Sequence, residues 1–341
     1  MEIDLAGNAL GLYPGSSDRE GHRSCILLSA HIDTVFPAGT SIEPVLSGGR
    51  LSAPGACDNG AGVVALLAVA AALRHGQVDL PCNLLLTGNV GEEGEGDLRG
   101  IRHIYDESPW RERIAANVVL DGAGHEAVVT QGLGSRRFLV SVQGPGGHSW
   151  TDAGTSNPIV VLSRVIARLS DLKLADSPRT TLNIGTIEGG TSVNAIPERA
   201  SARFDLRSTE AEPLLRLEVE LYRAVEDAVM TANARQAGAL RFSIEPIGDR
   251  PAGHLPDDSP ILGVLRAVDR HFGVRSDLRV ASTDANIPLS LGIPAISIGA
   301  GGEGGGVHTS AEWYDSRGRD LGLRRVLLLL LALAEQVSWA S

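Results

Sequence analysis

The feature that most constrains this chain is a set of short apolar runs, each of strand length, followed by residues that can bind a metal or move a proton. Residues 25–30 (CILLSA) run into His31, residues 83–87 (NLLLT) precede Glu92-Glu93, and residues 117–120 (NVVL) run into Asp121. Runs of this kind, apolar throughout rather than alternating, read as buried strands. Between the first two lies GAGVVALLAVAAALR at residues 60–74, a strong helix former behind a possible cap at Asp58 or Asn59. Strand alternating with helix predicts an α/β domain on a mostly parallel sheet. The C-terminal ends of such strands open on one crevice, so residues distant in sequence can meet there.

The middle of the chain has another pattern. Residues 137–143, 181–187, 200–206 and 240–246 read as strands, and 157–169 and 212–234 as helices. Their order, βαββαβ, is the ferredoxin-like arrangement. After it come a helix at 260–272, a strand at 295–299 and a helix at 321–337. A chain of 341 residues usually exceeds one hydrophobic core. The simplest organisation is a catalytic domain in two parts, 1–132 and 247–341, interrupted by an inserted domain at 133–246.

The net charge of −11 (30 basic and 41 acidic residues) repels nucleic acid and anionic membrane, so neither is expected as a partner. The apolar run at 326–334 is too short to span a bilayer and reads as part of a buried helix. The first residues, MEIDLAGNALGLYPG, do not read as a signal peptide. Three cysteines in so long a chain make no disulfide framework, and a reducing, cytoplasmic setting is expected.

His31, Asp58, Glu93, Asp121 and His308 form the expected metal constellation. Imidazoles and carboxylates suit zinc, and two His with three carboxylates suffice for two zincs if one carboxylate bridges. Taken singly, a His-x-Asp pair is usually a capping or surface pair, and Glu-Glu a solvated charge run. The order and strand-end placement of all five carry the inference. Glu92, unable to turn easily to the metal of its neighbour Glu93, is left free to take a proton. Asp33 is placed to accept the other N–H of His31.

The segments LLSAHIDTVFP, GACDNGAG, LTGNVGEEGEGDLRG, VVLDGAG, GPGGHSW, EGGTSVNAIPERASARFDLRS and STDANIPLSLGIPAISIG, with GGGVHT beyond it, resemble metallopeptidase family 20. The likeness covers nearly the whole chain. It implies a zinc-exopeptidase-like catalytic domain with a lid and dimerisation domain inserted. It further implies that Asp58 bridges two zincs, that His31 and Asp121 complete one metal and Glu93 and His308 the other, and that Glu92 is the general base. Cobalt or manganese could substitute for zinc.

By the same resemblance, His148 stabilises the oxyanion in the partner subunit's site, which makes a homodimer through the inserted domain the expectation. Asn194 and Arg207, thirteen apart, match an amide and a guanidinium that hold substrate, and a guanidinium suits a carboxylate. Arg203 is expected to face solvent. The glycine-rich stretch at 299–306 lacks the Lys-Ser/Thr of a phosphate loop and reads as a flexible loop delivering His308. Cys57 has no evident local base and is not expected to be a nucleophile. Relatives usually carry more helix before the first strand, so this N-terminus reads as a truncation or a short natural variant. Asp at 121, where the family's carboxypeptidases and deacylases tend to use Glu, favours hydrolysis of small peptides, as in peptidase T. Removal of N-acyl groups from amino acids is the alternative, and a carboxypeptidase a lesser one.

Overall fold

The computed structural model describes residues 2–16, 25–235 and 240–339. The chain forms two compact units, Met1–Gly132 with Gly253–Ser341, and Leu133–Ala252.

The first unit is built on a nine-stranded sheet. Its middle holds four parallel strands in the order Asn83–Asn89, Cys25–His31, Ile114–Leu120, Ala295–Ile298. Every residue of Cys25–His31 is buried. Successive side chains point to opposite faces of a strand, and here both faces are covered. Ile26, Leu28 and Ala30 join one core with Ala65, Val69 and Leu73 of the helix Gly60–His75 and Leu329 and Leu333 of the helix Arg319–Trp339. Cys25 and Leu27 join another with Ile101 and Ile104 of the helix Arg99–Asp106. This two-sided burial explains the uninterrupted apolar run.

Flanking strands extend the sheet. Ala9–Tyr13 pairs antiparallel with Asn83–Asn89, and Ala127–Gly132 pairs antiparallel with Ala295–Ile298 and parallel with Asp277–Ala281. The stretch expected to be a flexible glycine loop instead contains a strand, Glu303–Gly305. It belongs to a small antiparallel sheet with Trp313–Asp315, Arg50–Ser52 and Val45–Ser47. Close packing accounts for its composition: a Cβ on Gly304 would lie 2.3 Å from the Cys57 sulfur.

The second unit has the βαββαβ order, with antiparallel strands arranged Thr180–Gly189, Arg199–Ser208, Gly134–Gln143, Arg241–Arg250. The helices Pro158–Ser170 and Ala211–Arg235 cover one face with Leu162, Val165, Leu221 and Val225, packed on Phe138, Val140, Phe204 and Leu206. Residue 246 does not end the unit. Pro246 lacks an N–H for the ladder, the register shifts between Pro246 and Gly248, and pairing then resumes to Arg250. No helix among the described residues is long and apolar enough to cross a membrane.

Candidate metal centre

The four parallel strands run in one direction and carry His31, the Glu92-Glu93 turn, Asp121 and the chain toward His308 at or beyond one edge of the sheet. Asp58 joins them from the turn that opens the helix Gly60–His75. Asn59, not Asp58, caps this helix, its side chain accepting from the Gly62 N–H at 3.2 Å. The Asp58 carboxylate is thereby free for the centre, and its two oxygens face different imidazoles. Oδ1 lies 3.0 Å from His31 Nε2, and Oδ2 lies 3.1 Å from His308 Nε2. Glu93 Oε1 is 3.1 Å from His308 Nε2, and Asp121 Oδ1 is 3.9 Å from His31 Nε2. His31, Asp58 and Glu93 each offer a ligand atom within 4.8 Å of the others.

Three side chains staple the ligand-bearing segments together. Asp33 is expected to accept the other N–H of His31, and its backbone carbonyl does so. The Asp33 carbonyl is the closer partner, 3.0 Å from His31 Nδ1, with the nearer carboxylate oxygen at 3.8 Å. A carbonyl only accepts, so Nδ1 carries the hydrogen and Nε2 is turned to the centre. The carboxylate accepts instead from the backbone N–H of Glu92 and Glu93, at 3.1 and 3.0 Å. Asn59 accepts from Gly122 N–H at 3.0 Å and donates to the Leu120 carbonyl at 2.8 Å, tying the Asp121 turn to the Asp58 turn. Glu312, wholly buried, accepts from the backbone N–H of Gly55, Cys57 and Asp58 at 2.9, 2.8 and 2.7 Å. The sequence leaves the helix cap open between Asp58 and Asn59 and does not point to the bridge from Asn59 to the Asp121 turn, and Glu312 gives no local signal of its distant partners.

The electrostatics call for positive charge. Burial alone would lower the pKa of His31, but hydrogen bonds to Asp121 and Asp58 and their charges push it up to about 12. Burial would raise Asp58, yet the two imidazoles hold it below the usual carboxylate range. Burial and the Asp58 charge push Glu93 up. Crowded carboxylates around imidazoles with a shared Asp fit a pair of divalent cations by donor chemistry. His308 has φ of +65°, a conformation uncommon for a residue with a Cβ and one that clusters at functional sites. Cys57 is buried, and burial pushes its thiol up to about 11, which disfavours a nucleophilic thiolate.

A sequence profile of peptidase family M20/M25/M40 matches residues 27–334. The chain belongs to that family. A peptidase M20 domain-containing protein of Sordaria macrospora is 31% identical over 212 residues, covering 57% of this chain and 46% of the relative. The chain spans about half the length of the first curated relatives it matches. A tripeptidase structure from Staphylococcus aureus superposes with a TM-score of 0.77 at 20% identity, over 98% of this chain and 88% of that one. The Bacillus subtilis YXEP protein, described as a dinuclear metal binding M20 peptidase, gives 0.67 at 16% identity, over 98% and 87%.

Beside the centre of this M20 protein lies a cavity of about 600 Å³, lined by Asp58, Asp121, the stretches 122–124 and 302–304, Val307 and Trp313. In the second unit, His148 and Asn194 come together: His148 pairs with Ala195, and Ser149 N–H donates to the Asn194 carbonyl at 3.0 Å. His148 Nδ1 accepts from the Trp150 and Thr151 N–H at 3.2 and 3.4 Å. The hydrogen of the neutral ring therefore sits on Nε2, which is left as a donor. Arg207 is not brought to this cluster. The cluster lies at the Arg199 end of the strand Arg199–Ser208, and about 26 Å of extended chain lead from there to Arg207. Arg207 Nε donates to Asp205 at 2.8 Å. Arg203 is exposed on the same face.

Proposed function

We propose that this chain hydrolyses small peptides at a pair of zinc ions, in the manner of a di- or tripeptidase. The observation that carries this reading is the Asp58 carboxylate, whose two oxygens each face a separate imidazole. Asp58 would be shared between the cations, with His31 and Asp121 completing one set of ligands and Glu93 and His308 the other. Such ions supply Lewis acidity that polarises the scissile carbonyl and acidifies the attacking water. Glu92, buried on the turn that Asp33 holds, takes a proton from that water and delivers it to the leaving amine. The cavity of about 600 Å³ beside Asp58 and Asp121 is of the size that takes a small-molecule ligand such as a short peptide.

The substrate-holding groups belong to a homodimer. His148 and Asn194 cluster at one end of the second unit and Arg207 lies at the other, too far apart to hold one small peptide within one subunit. Two copies can supply them jointly: His148 Nε2–H from the partner donates to the developing oxyanion, and Arg207 takes the substrate carboxylate. Cys25, Cys57 and Cys82 are buried and none of them is in a disulfide, which suits a reducing compartment, and the proposed setting is the cytoplasm.

The test is a panel of di- and tripeptides beside N-acyl amino acids, with protein loaded separately with zinc, cobalt and manganese. Turnover of peptides, fastest with zinc, is expected. Turnover confined to N-acyl amino acids replaces the peptidase reading with a deacylase. No turnover of either, with metals bound, overturns both.

A further inference from the structure

Glu312 is a carboxylate with no exposed surface, placed where an apolar side chain would fill space without loss of hydration. What offsets that loss is three hydrogen bonds to an ionisable acceptor, which are stronger than bonds between neutral groups. All three donors belong to the turn of residues 55–58: Oε2 takes the Gly55 N–H, and Oε1 takes those of Cys57 and Asp58. The backbone around Glu312 is tied to the other side of the centre. Its N–H donates to the Thr309 carbonyl at 3.1 Å, Thr309 N–H donates to Gly306 at 3.0 Å, and between Gly306 and Thr309 stands His308. The Glu312 carbonyl accepts from Ala53 at 3.1 Å, so the two segments are fastened at both ends.

We propose that Glu312 is a positioning residue for one of the two metals, the one on the Glu93–His308 side. That metal would depend on two ligands, Asp58 and His308, whose relative placement Glu312 sets. The metal on the His31 side shares only Asp58 with this arrangement. Its other ligands are held by different staples, Asp33 for the His31 loop and Asn59 for the Asp121 turn. Removing the Glu312 contacts therefore loosens one metal far more than the other.

Glu312→Gln keeps the size of the side chain. Its NH2 group must face at least one of the backbone N–H donors, and the site is closed to water that could relieve the mismatch. The inference rests on the dinuclear reading, and the experiment separates the two. Full-length wild type and Glu312→Gln are loaded with zinc, dialysed against graded chelator and assayed for metal per chain, with far-UV circular dichroism and melting of the metal-free forms recorded alongside. Wild type is expected to hold two metals. The variant is expected to hold one as wild type does and to bind the other roughly 10–100-fold more weakly, the usual effect of losing a group that orients a ligand. Because both changes act on one site, Glu312→Gln should add little to His308→Ala when the two are combined.

A variant that retains both metals as wild type does overturns the role of Glu312 and leaves the dinuclear reading standing. Equal weakening of both metals, with a lower melting temperature of the metal-free form, also overturns it and marks Glu312 as a support of the fold. Wild type that never holds more than one metal overturns the dinuclear reading itself. Should Glu312→Gln not be recovered folded, Glu312→Asp carries the same test: it keeps the charge and shortens the reach, and loss of the same single metal is expected.

Discussion

Replacing Asn59 with Ala removes three contacts at once, and their sizes can be worked from the structure. The cap on Gly62 N–H contributes about 1 kcal/mol. The other two contacts leave the Gly122 N–H and the Leu120 carbonyl without their partner, each costing about 1–3 kcal/mol where water does not replace it. Allowing for water entering the vacated space, the loss should be at the low end of the sum, about 3 kcal/mol. For a unit of this size that corresponds to a fall in melting temperature of about 6–12 °C. Asn59→Ser separates the two roles. Serine caps a helix well but is too short to bridge to the Asp121 turn. Serine should therefore recover only the cap, about 1 kcal/mol. The assay is thermal unfolding of the metal-free proteins followed by circular dichroism. Asn59→Ser melting with wild type would refute the reasoning, because it would show that the bridge to residues 120–122 contributes nothing.

Glu92→Gln should keep both metals and lower turnover roughly 10²–10⁴-fold; near-wild-type turnover at full metal occupancy would remove Glu92 from the proton transfer. In the metal-free chain His31 is raised from 6.5 to about 12, so its contribution to stability is complete below pH 6.5 and fades as pH climbs toward 12. A cation binding there at pH 8 must expel that proton, which calorimetry in buffers of different ionisation heat would record as about one proton released per chain; none released would contradict the raised affinity. Mixing inactive His148→Ala with inactive Glu92→Gln should restore up to about a quarter of wild-type activity through hybrid dimers, whereas a fully active monomer would exclude the shared site. Arg207→Ala should bind peptides with a free carboxylate roughly tenfold more weakly or worse and leave amidated peptides unaffected; equal loss on both would detach Arg207 from the carboxylate.

Much of this architecture was readable because burial on both faces leaves a plain mark. Residues 25–31 could hardly be anything but a central strand, and a ligand at its end follows from how parallel sheets are open at one edge. The helices of the second unit were equally visible in their periodicity. What stayed hidden depends on contacts across the sequence. Glu312 meets its partners across 254 to 257 residues, and nothing near it distinguishes a staple from a surface acid. Val45–Ser47 is exposed and carries no apolar pattern, so its pairing could not be foreseen. The spacing of Asn194 and Arg207 misleads for a geometric reason: most of the intervening residues lie in one extended strand, which sets them apart rather than together. Asp284 has no exposed surface, and burial pushes its carboxyl up to about 6; as one polar residue in STDANIP it offered no sign of being interior.

The order of the strands also sets a timetable for synthesis. The strand Ala295–Ile298 lies beside Ile114–Leu120, and His308 reaches Asp58 across 250 residues. All of Leu133–Ala252 must leave the ribosome before that strand and His308 exist. The inserted unit, with its own core, can fold on the nascent chain first, as domains generally do. Meanwhile His31, Asp58, Glu93 and Asp121 have been made but lack the strand and the imidazole that complete their surroundings. The first unit thus pays the loop-closure cost of a long detour before its last contacts form. A chain interrupted between residues 252 and 295 therefore carries the whole inserted unit attached to an incomplete set of candidate ligands, so the proposed hydrolytic capacity arrives only with the final segment of the polypeptide.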